Sequence, residues 1–125
     1  MNEIVVGMGE ALWDVLPEGK KIGGAPANFA YHVSQFGFPS CVVSAIGDDA
    51  LGKEIIENFT SKGLDQLIAE VPYPTGTVQV EIDQTGIPLY DIKENVAWDN
   101  IPYTEHLDAL AKRTKAVCSG SLAQR

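Results

Sequence analysis

Residues 21–37 read KIGGAPANFAYHVSQFG. Gly23-Gly24 removes side chains where the main chain must come close to something. A helical pattern begins immediately after, so its free N–H groups are aimed at the same spot. Asn28 lies in the first turn of that helix, off the apolar stripe of Phe29, Val33 and Phe36, and offers one acceptor and two donors there. Asp14, just past the first strand-like run, adds a carboxylate acceptor. Backbone donors, an amide and an acid suit a neutral polyhydroxylated ligand. Sugar hydroxyls both donate and accept, and a site that pairs each of them rejects analogues lacking one. By geometry alone, Asn28 serves equally well as a cap or a crosslink between loops.

Other patterns fall short of a chemical function. Gly7-Met8-Gly9 has the start of a dinucleotide fingerprint, but Leu12 stands where the third glycine belongs. Gly52-Lys53 is followed by Glu54, not by the Ser or Thr of a phosphate-cradling loop. His32 and His106 are isolated on predicted helices, where surface or capping roles fit better than metal ligation. The acids are scattered without zinc or calcium spacing, so no metal ligand is expected. Trp13 and Trp98 are read as packing residues. Cys41 and Cys118 have no CxxC or Cys/His spacing and are read as two reduced core thiols of a cytoplasmic protein.

At 125 residues, with 45% hydrophobic and 21% charged, the composition is that of an ordinary globular domain. The net charge of −8, from 17 acids against 9 bases with no basic run, would repel a phosphate backbone, which excludes nucleic acid as a partner. The first ten residues lack the positive segment and apolar stretch of a signal peptide. No apolar run approaches the ~20 residues needed to span a bilayer, so no membrane partner is expected.

The elements that must position these residues alternate. Residues 3–8 form a short apolar run, and 11–16 a second one before the turn Pro17-Glu18-Gly19. Residues 26–36 are helical, with Pro26 suited to the first turn and Gly37 to the stop. Phe29, Val33, Phe36 and Ala30 form its inward stripe. SCVVSAI (40–46) reads as a fully buried strand. A helix follows over 50–62, capped by Asp48 or Asp49, with Leu51, Ile55, Ile56 and Phe59 inward. Strand, helix, strand, helix predicts an α/β fold with a mostly parallel sheet flanked by helices. The rhythm then changes. TVQVEID (77–83) alternates strictly, turns at Gln84-Thr85-Gly86 and returns over 87–92, the signature of a hairpin dry on one face, appended as a small β lid. A helix over 103–113 and a strand over 116–122 close the pattern. A parallel strand normally leads into a covering helix, so the sequence reads as the first half of a larger domain.

Gly23-Gly24-Ala25-Pro26-Ala27-Asn28-Phe29-Ala30, followed by Gly37 and Gly47, resembles at every fixed position the amino-terminal signature of the ribokinase-like (PfkB) carbohydrate kinases. Gly47-Asp48-Asp49-Ala50-Leu51-Gly52 resembles the Gly-x-Asp-x-x-Gly segment that follows it in the family. The hairpin with Thr75-Gly76 at its root resembles the family's substrate lid. Gly9-Glu10-Ala11-Leu12-Trp13-Asp14 and the closing Gly120-Ser121-Leu122-Ala123-Gln124-Arg125 look most like the fructokinase branch. Residues 1–125 thus resemble the amino-terminal part of one ribokinase-like domain, with lid segments at about 11–22 and 75–98.

The resemblance implies ATP-dependent phosphorylation of a sugar's primary hydroxyl, fructose to fructose 6-phosphate, by the full-length protein. A 2-keto-3-deoxygluconate kinase, a ribokinase, or an inactive sugar-binding and assembly module are the alternatives. In the family, residues matching Asp14, Gly24 and Asn28 hold sugar hydroxyls, with Gly23 beside them. Tyr90 on the returning hairpin strand is placed either to stack on the sugar or to pack against a body or subunit. Arg125 reaches the sugar pocket in some relatives. The family's Gly-Ala-Gly-Asp segment, with its catalytic aspartate, has no match in this sequence. The expectation is therefore no catalytic residue here, ATP and Mg2+ bound only by the full-length enzyme, and no phosphotransfer by this chain alone. The resemblance also allows a homodimer through the lid.

Overall fold

The computed structural model describes residues 3–124, so Arg125 lies outside the described residues. In chain order its elements are β1 (Ile4–Met8), β2 (Leu12–Leu16), β3 (Gly19–Gly23), α1 (Ala25–Gln35), β4 (Ser40–Gly47) and α2 (Ala50–Ser61). Then come β5 (Asp65–Val71), β6 (Gly76–Ile82), β7 (Pro88–Ile92), a 3-10 turn (Ala97–Asn100), α3 (Glu105–Arg113) and β8 (Thr114–Cys118).

Every residue of β4 is buried, as its unbroken apolar run requires of a strand covered on both faces. It lies inside a four-stranded, wholly parallel sheet of order β5-β4-β1-β8. Val42 and Ile46 face α1 and α2, joining Ala27, Ala30, Ile55 and Phe59 in one core. Cys41 and Val43 face the other way with Ile4 and Val6, against Leu107 and Leu110 of α3. The expected α/β class, a parallel sheet with helices on both faces, is what these contacts build. Burial, with Asp65 adding to it, pushes the Cys41 thiol up to about 11, leaving it protonated and inert at neutral pH. Cys118 is only half-buried.

A second sheet of order β3-β2-β6-β7 stands apart from the first. β2 pairs antiparallel with β3 and parallel with β6, and β6 forms the antiparallel hairpin with β7. The hairpin is therefore not a free flap, since β2 and β3 widen it to four strands. β3 and β5 go beyond the sequence reading. GKKIG has no alternating apolar signal, and its pairing comes from the neighbouring β2. DQLIAEV is mixed in polarity, and β4 recruits it along its whole length.

Three further expectations need correction. The inward face of α1 is Pro26, Ala27 and Ala30, while Phe36 is 80% exposed. The helix crosses β1 so closely that a Cβ on Gly7 would strike the Pro26 carbonyl, and only small residues fit between them. Phe36 has already left the helix, at its C-cap. The last strand spans Thr114–Cys118 rather than 116–122, because α3 runs straight into it at Thr114 and Leu122 lies in a 3-10 turn. Along α3, Leu107 and Leu110 pack as expected, but Ala111 is exposed. Among the described residues no helix is long and apolar enough to cross a membrane.

Candidate functional site

The chain passes between the sheets twice near Gly24, outward through Gly9-Glu10-Ala11 and back through Gly23-Gly24. Gly24 is the N-cap of α1 at φ 113°, ψ 114°, a backbone state that favours glycine. A Cβ there would also strike the Glu10 carbonyl, so the two crossings touch main chain to main chain. No side chain caps α1, and no acid stands in its first turn. Its positive N-terminal end is left for something else to satisfy.

Asp14, at the middle of β2, lies opposite Lys21 of β3 and beside Val78 of β6. Partners at these registers share a sheet face, so Leu12, Asp14, Lys21 and Gly23 look the same way. The Asp14 carboxylate fills the space in front of Gly23: a Cβ on Gly23 would stand 2.6 Å from Oδ2. Burial pushes the Asp14 carboxyl above its ordinary value. Neither oxygen accepts a hydrogen bond from the described residues, so both remain available to donors from outside.

Asn28 is tied to Gly24 through its backbone N–H, which donates to the Gly24 carbonyl at 3.0 Å. Its side chain is exposed, off the packed face of α1, and its amide bonds to none of the described residues. The cap or crosslink alternative therefore has no hydrogen bond behind it. The Asp14 carboxylate faces Gly23, the next residue Gly24 opens α1, and Asn28 stands in the first turn of that helix.

Tyr90 stands apart from this group. It pairs with Val80 and so shares the Asp14 face of the sheet, two strands away. Ladder spacing puts its Cα about 12 Å from that of Asp14. It is 64% exposed and reaches the others only if a ligand or a movement bridges the gap. His32 and His106 are exposed, and Trp13 and Trp98 are buried in packing roles, Trp13 donating its ring N–H to the Leu51 carbonyl at 3.0 Å. An apolar cavity of about 460 Å³ lies away from this junction, between α3 and β8, lined by Met8, Tyr103, Leu107 and Val117.

Glu10, read in the sequence only as part of the Gly9-Glu10-Ala11-Leu12-Trp13-Asp14 run, carried no role of its own there. It is 6% exposed, beside Gly24 in the chain crossing, and its Oε1 has no hydrogen-bond partner. Nothing in its local pattern marks it, since a lone acid after glycine reads as a turn residue. Among the described residues, no group of three His, Cys, Asp or Glu side chains is placed to hold a metal ion.

A parallel α/β layer thus bears a smaller β-sheet, with an acid in the second sheet and an unbonded amide in the first turn of an uncapped helix near their join. The chain belongs to the pfkB family of carbohydrate kinases, whose profile matches residues 16–125. It is 30% identical over 105 residues to a sugar kinase of Pyrococcus horikoshii, a match covering 82% of this chain and 34% of that protein. It is 31% identical over 93 residues to a fructokinase of Klebsiella pneumoniae, covering 69% and 30%. An ATP-dependent 6-phosphofructokinase of Thermoanaerobacterium thermosaccharolyticum is 29% identical over 100 residues, covering 78% and 30%. The crystal structure of the uncharacterized P. horikoshii sugar kinase superimposes with a TM-score of 0.84 at 26% identity, over 97% of this chain and 44% of that one. The same protein has been crystallised in complex with ATP. The chain spans about a third of the length of the curated relatives it matches.

Proposed function

We propose that this chain is the sugar-gripping portion of a cytoplasmic, ATP-dependent carbohydrate kinase, and that fructose is the sugar, phosphorylated at its primary hydroxyl by the full-length enzyme. The observation that carries the reading is the junction itself. Asp14 presents a carboxylate without internal partners, Asn28 a free amide four residues into α1, and the uncapped helix its N–H groups. Together they offer acceptors and donors in the alternation a polyol needs. Gly23 and Gly24 are bare so that the Asp14 carboxylate and the Glu10 carbonyl can approach the main chain there.

The four-stranded sheet is the lid of this reading, made of the segments at about 11–22 and 75–98. Phosphoryl transfer asks mainly for an in-line nucleophile and exclusion of competing water. Asp14, Gly24 and Asn28 would orient the sugar, and the lid would shut water out, with Tyr90 coming down on the sugar face. Because the chain spans only about a third of the length of its curated relatives, this reading assigns ATP, its Mg2+ and the catalytic base to the remainder of the full-length enzyme. The chain by itself is then a binder without phosphotransfer. The exposed side of the lid would pair two copies into a homodimer.

The test is a panel of fructose, ribose, 2-keto-3-deoxygluconate and fructose 6-phosphate, titrated into the chain and assayed as substrates of the full-length enzyme. Fructose should be the best ligand and the best substrate. Preference for another sugar of the panel moves the assignment to that kinase, and sugar-dependent ATP turnover by the 125 residues alone would overturn the division of labour.

A further inference from the structure

We infer that Asp49 and Thr75 are positioning residues: they clamp the root of β6 to the parallel layer and, through the β6–β2 ladder, hold Asp14 at its station in front of Gly23. The inference rests on the sugar-binding reading for the role of Asp14, but the clamp itself stands on geometry independent of it.

Asp49 is the N-cap of α2, and its Oδ1 accepts the Gly52 N–H at 2.8 Å, as a capping acid should. Capping accounts for only one of its bonds. Thr75, 26 residues on, donates its hydroxyl to Asp49 Oδ1 at 2.5 Å and its backbone N–H to Oδ2 at 3.0 Å. The same hydroxyl oxygen accepts the Gly47 N–H at 2.9 Å. Thr75 is 3% exposed, so these bonds are made out of water, where a lost partner is costly.

The spacing Gly47-Asp48-Asp49-Ala50-Leu51-Gly52 follows from this. A Cβ on Gly47 would stand 2.7 Å from Asp49 Oδ2 and 2.9 Å from the Thr75 nitrogen, and one on Gly52 2.8 Å from Thr75 Oγ1. Both glycines also face main chain, the Tyr73 carbonyl at Gly47 and the Gly47 carbonyl at Gly52, so the clamp is packed into space that no side chain can share. Asp48, between them, is exposed and takes no part in the clamp.

Thr75 is the last residue anchored to the parallel layer, and Gly76 is the first in the ladder with β2, pairing with Leu12, after which Val78 pairs with Asp14. The return path is tied at the same point. The Ala97 N–H donates to the Pro74 carbonyl at 2.7 Å, and the Trp98 indole lies against the α-carbon of Gly76. A ladder fixed at its first rung sets the rungs that follow, so loosening Thr75 shifts Val78 and its partner Asp14 together.

The experiment compares T75V, T75S and D49N in the 125-residue chain by amide hydrogen exchange, with and without D-fructose. T75V keeps the shape and removes the hydroxyl, and T75S restores it. With T75V and D49N, exchange in β2 and β6 should rise about tenfold or more while β4 stays unchanged, and the fructose Kd should weaken about tenfold. T75S should stay within about twofold of the parent in both measurements. Faster exchange confined to the first turn of α2 would reduce Asp49 to a helix cap and overturn the proposal, as would an equal rise in every strand. If T75V fails to fold, D49N against T75S makes the same comparison. If the parent chain ignores fructose yet β2 and β6 respond as stated, the sugar assignment fails and the clamp stands.

Discussion

The carboxylate of Asp14 and the α-carbon of Gly23 face each other across the β2–β3 ladder, with Oδ2 filling the volume a side chain would need. G23A would place its methyl 2.6 Å from Oδ2 and 3.1 Å from Leu12 Cδ1, so the acid must swing away from the junction. Sugar affinity should fall by about tenfold or more, since a hydroxyl loses its charged acceptor. Calorimetric titration with fructose measures this, and unchanged affinity would separate Asp14 from the ligand.

Asp14 should also give a functional acid its usual signature in stability. Burial raises its folded pKa above the ordinary 3.8, so folding favours the protonated form. Stability from this group is fully present below 3.8 and is lost as pH rises through the raised folded value. At pH 7 the ionised carboxylate is therefore a burden, and D14N should match or exceed the parent in stability, by no more than about 1 kcal/mol for so solvated a group. Thermal melts at pH 7 decide it. Stability retained together with sugar binding lost is the pattern expected of a residue kept for its ligand.

Asn28 is the simplest case. Its side chain packs against nothing that α1 needs and makes no hydrogen bond to the described residues. N28A should leave the melting temperature within a degree or two, a surface change worth less than about 0.5 kcal/mol, and should cost ten- to a hundredfold in sugar affinity, about 1.4 to 2.8 kcal/mol. A large loss of stability would point to a structural duty instead.

Much of this architecture is legible in the chain, and the gaps have physical causes. β4 is recognisable because a strand covered on both faces must be apolar throughout, and α2 because Asp49 and the Ile55/Phe59 spacing mark its start and inner face. β3 is hidden, since a two-residue turn and the edge of β2 can order Gly19–Gly23 with Ile22 as its one apolar side chain. The misread face of α1 has a similar origin. Periodicity counts large apolar residues, whereas contact with β1 at Gly7 demands small ones. Asp14, Gly23, Gly24 and Asn28 could be picked out by type and spacing. Glu10, and the bond between Asp49 and Thr75, depend on which loops meet in space, which no local pattern encodes.

Asp49 should show the opposite pH behaviour to Asp14. Burial alone would raise its pKa, but the Thr75 hydroxyl, the Thr75 N–H and the Gly52 N–H outweigh burial and hold the carboxyl below the ordinary 3.8. The carboxylate then adds stability above 3.8 that disappears as pH falls through the lower folded value. D49N should be less stable than the parent at pH 7, by about 1 to 3 kcal/mol for the severed hydrogen bonds, and the gap should narrow on acidification below 3.8. Denaturant melts of both proteins across that range supply the comparison, and a gap independent of pH would mean that the charge on Asp49 is irrelevant to the clamp.

The second sheet changes character along its length. On the face shared by Val78 and Val80, both buried, the ladder continues through Ile82, Tyr90 and Ile92, all exposed. Leu89 and Ile87 add exposed apolar surface at the same tip. Under the proposed homodimer, this apolar area is what a second copy of the chain would cover. Paired lids predict concentration-dependent association that weakens in an I82S/I87S double variant while fructose binding to Asp14 and Asn28 survives. Association that persists in that variant would redirect attention to the edge of β8, where Val117 is 57% exposed and the strand's outer hydrogen-bonding groups are open to pairing. Sedimentation at several concentrations distinguishes the two, because the lid variant runs as a monomer if the lid pairs the copies and still associates if the β8 edge does.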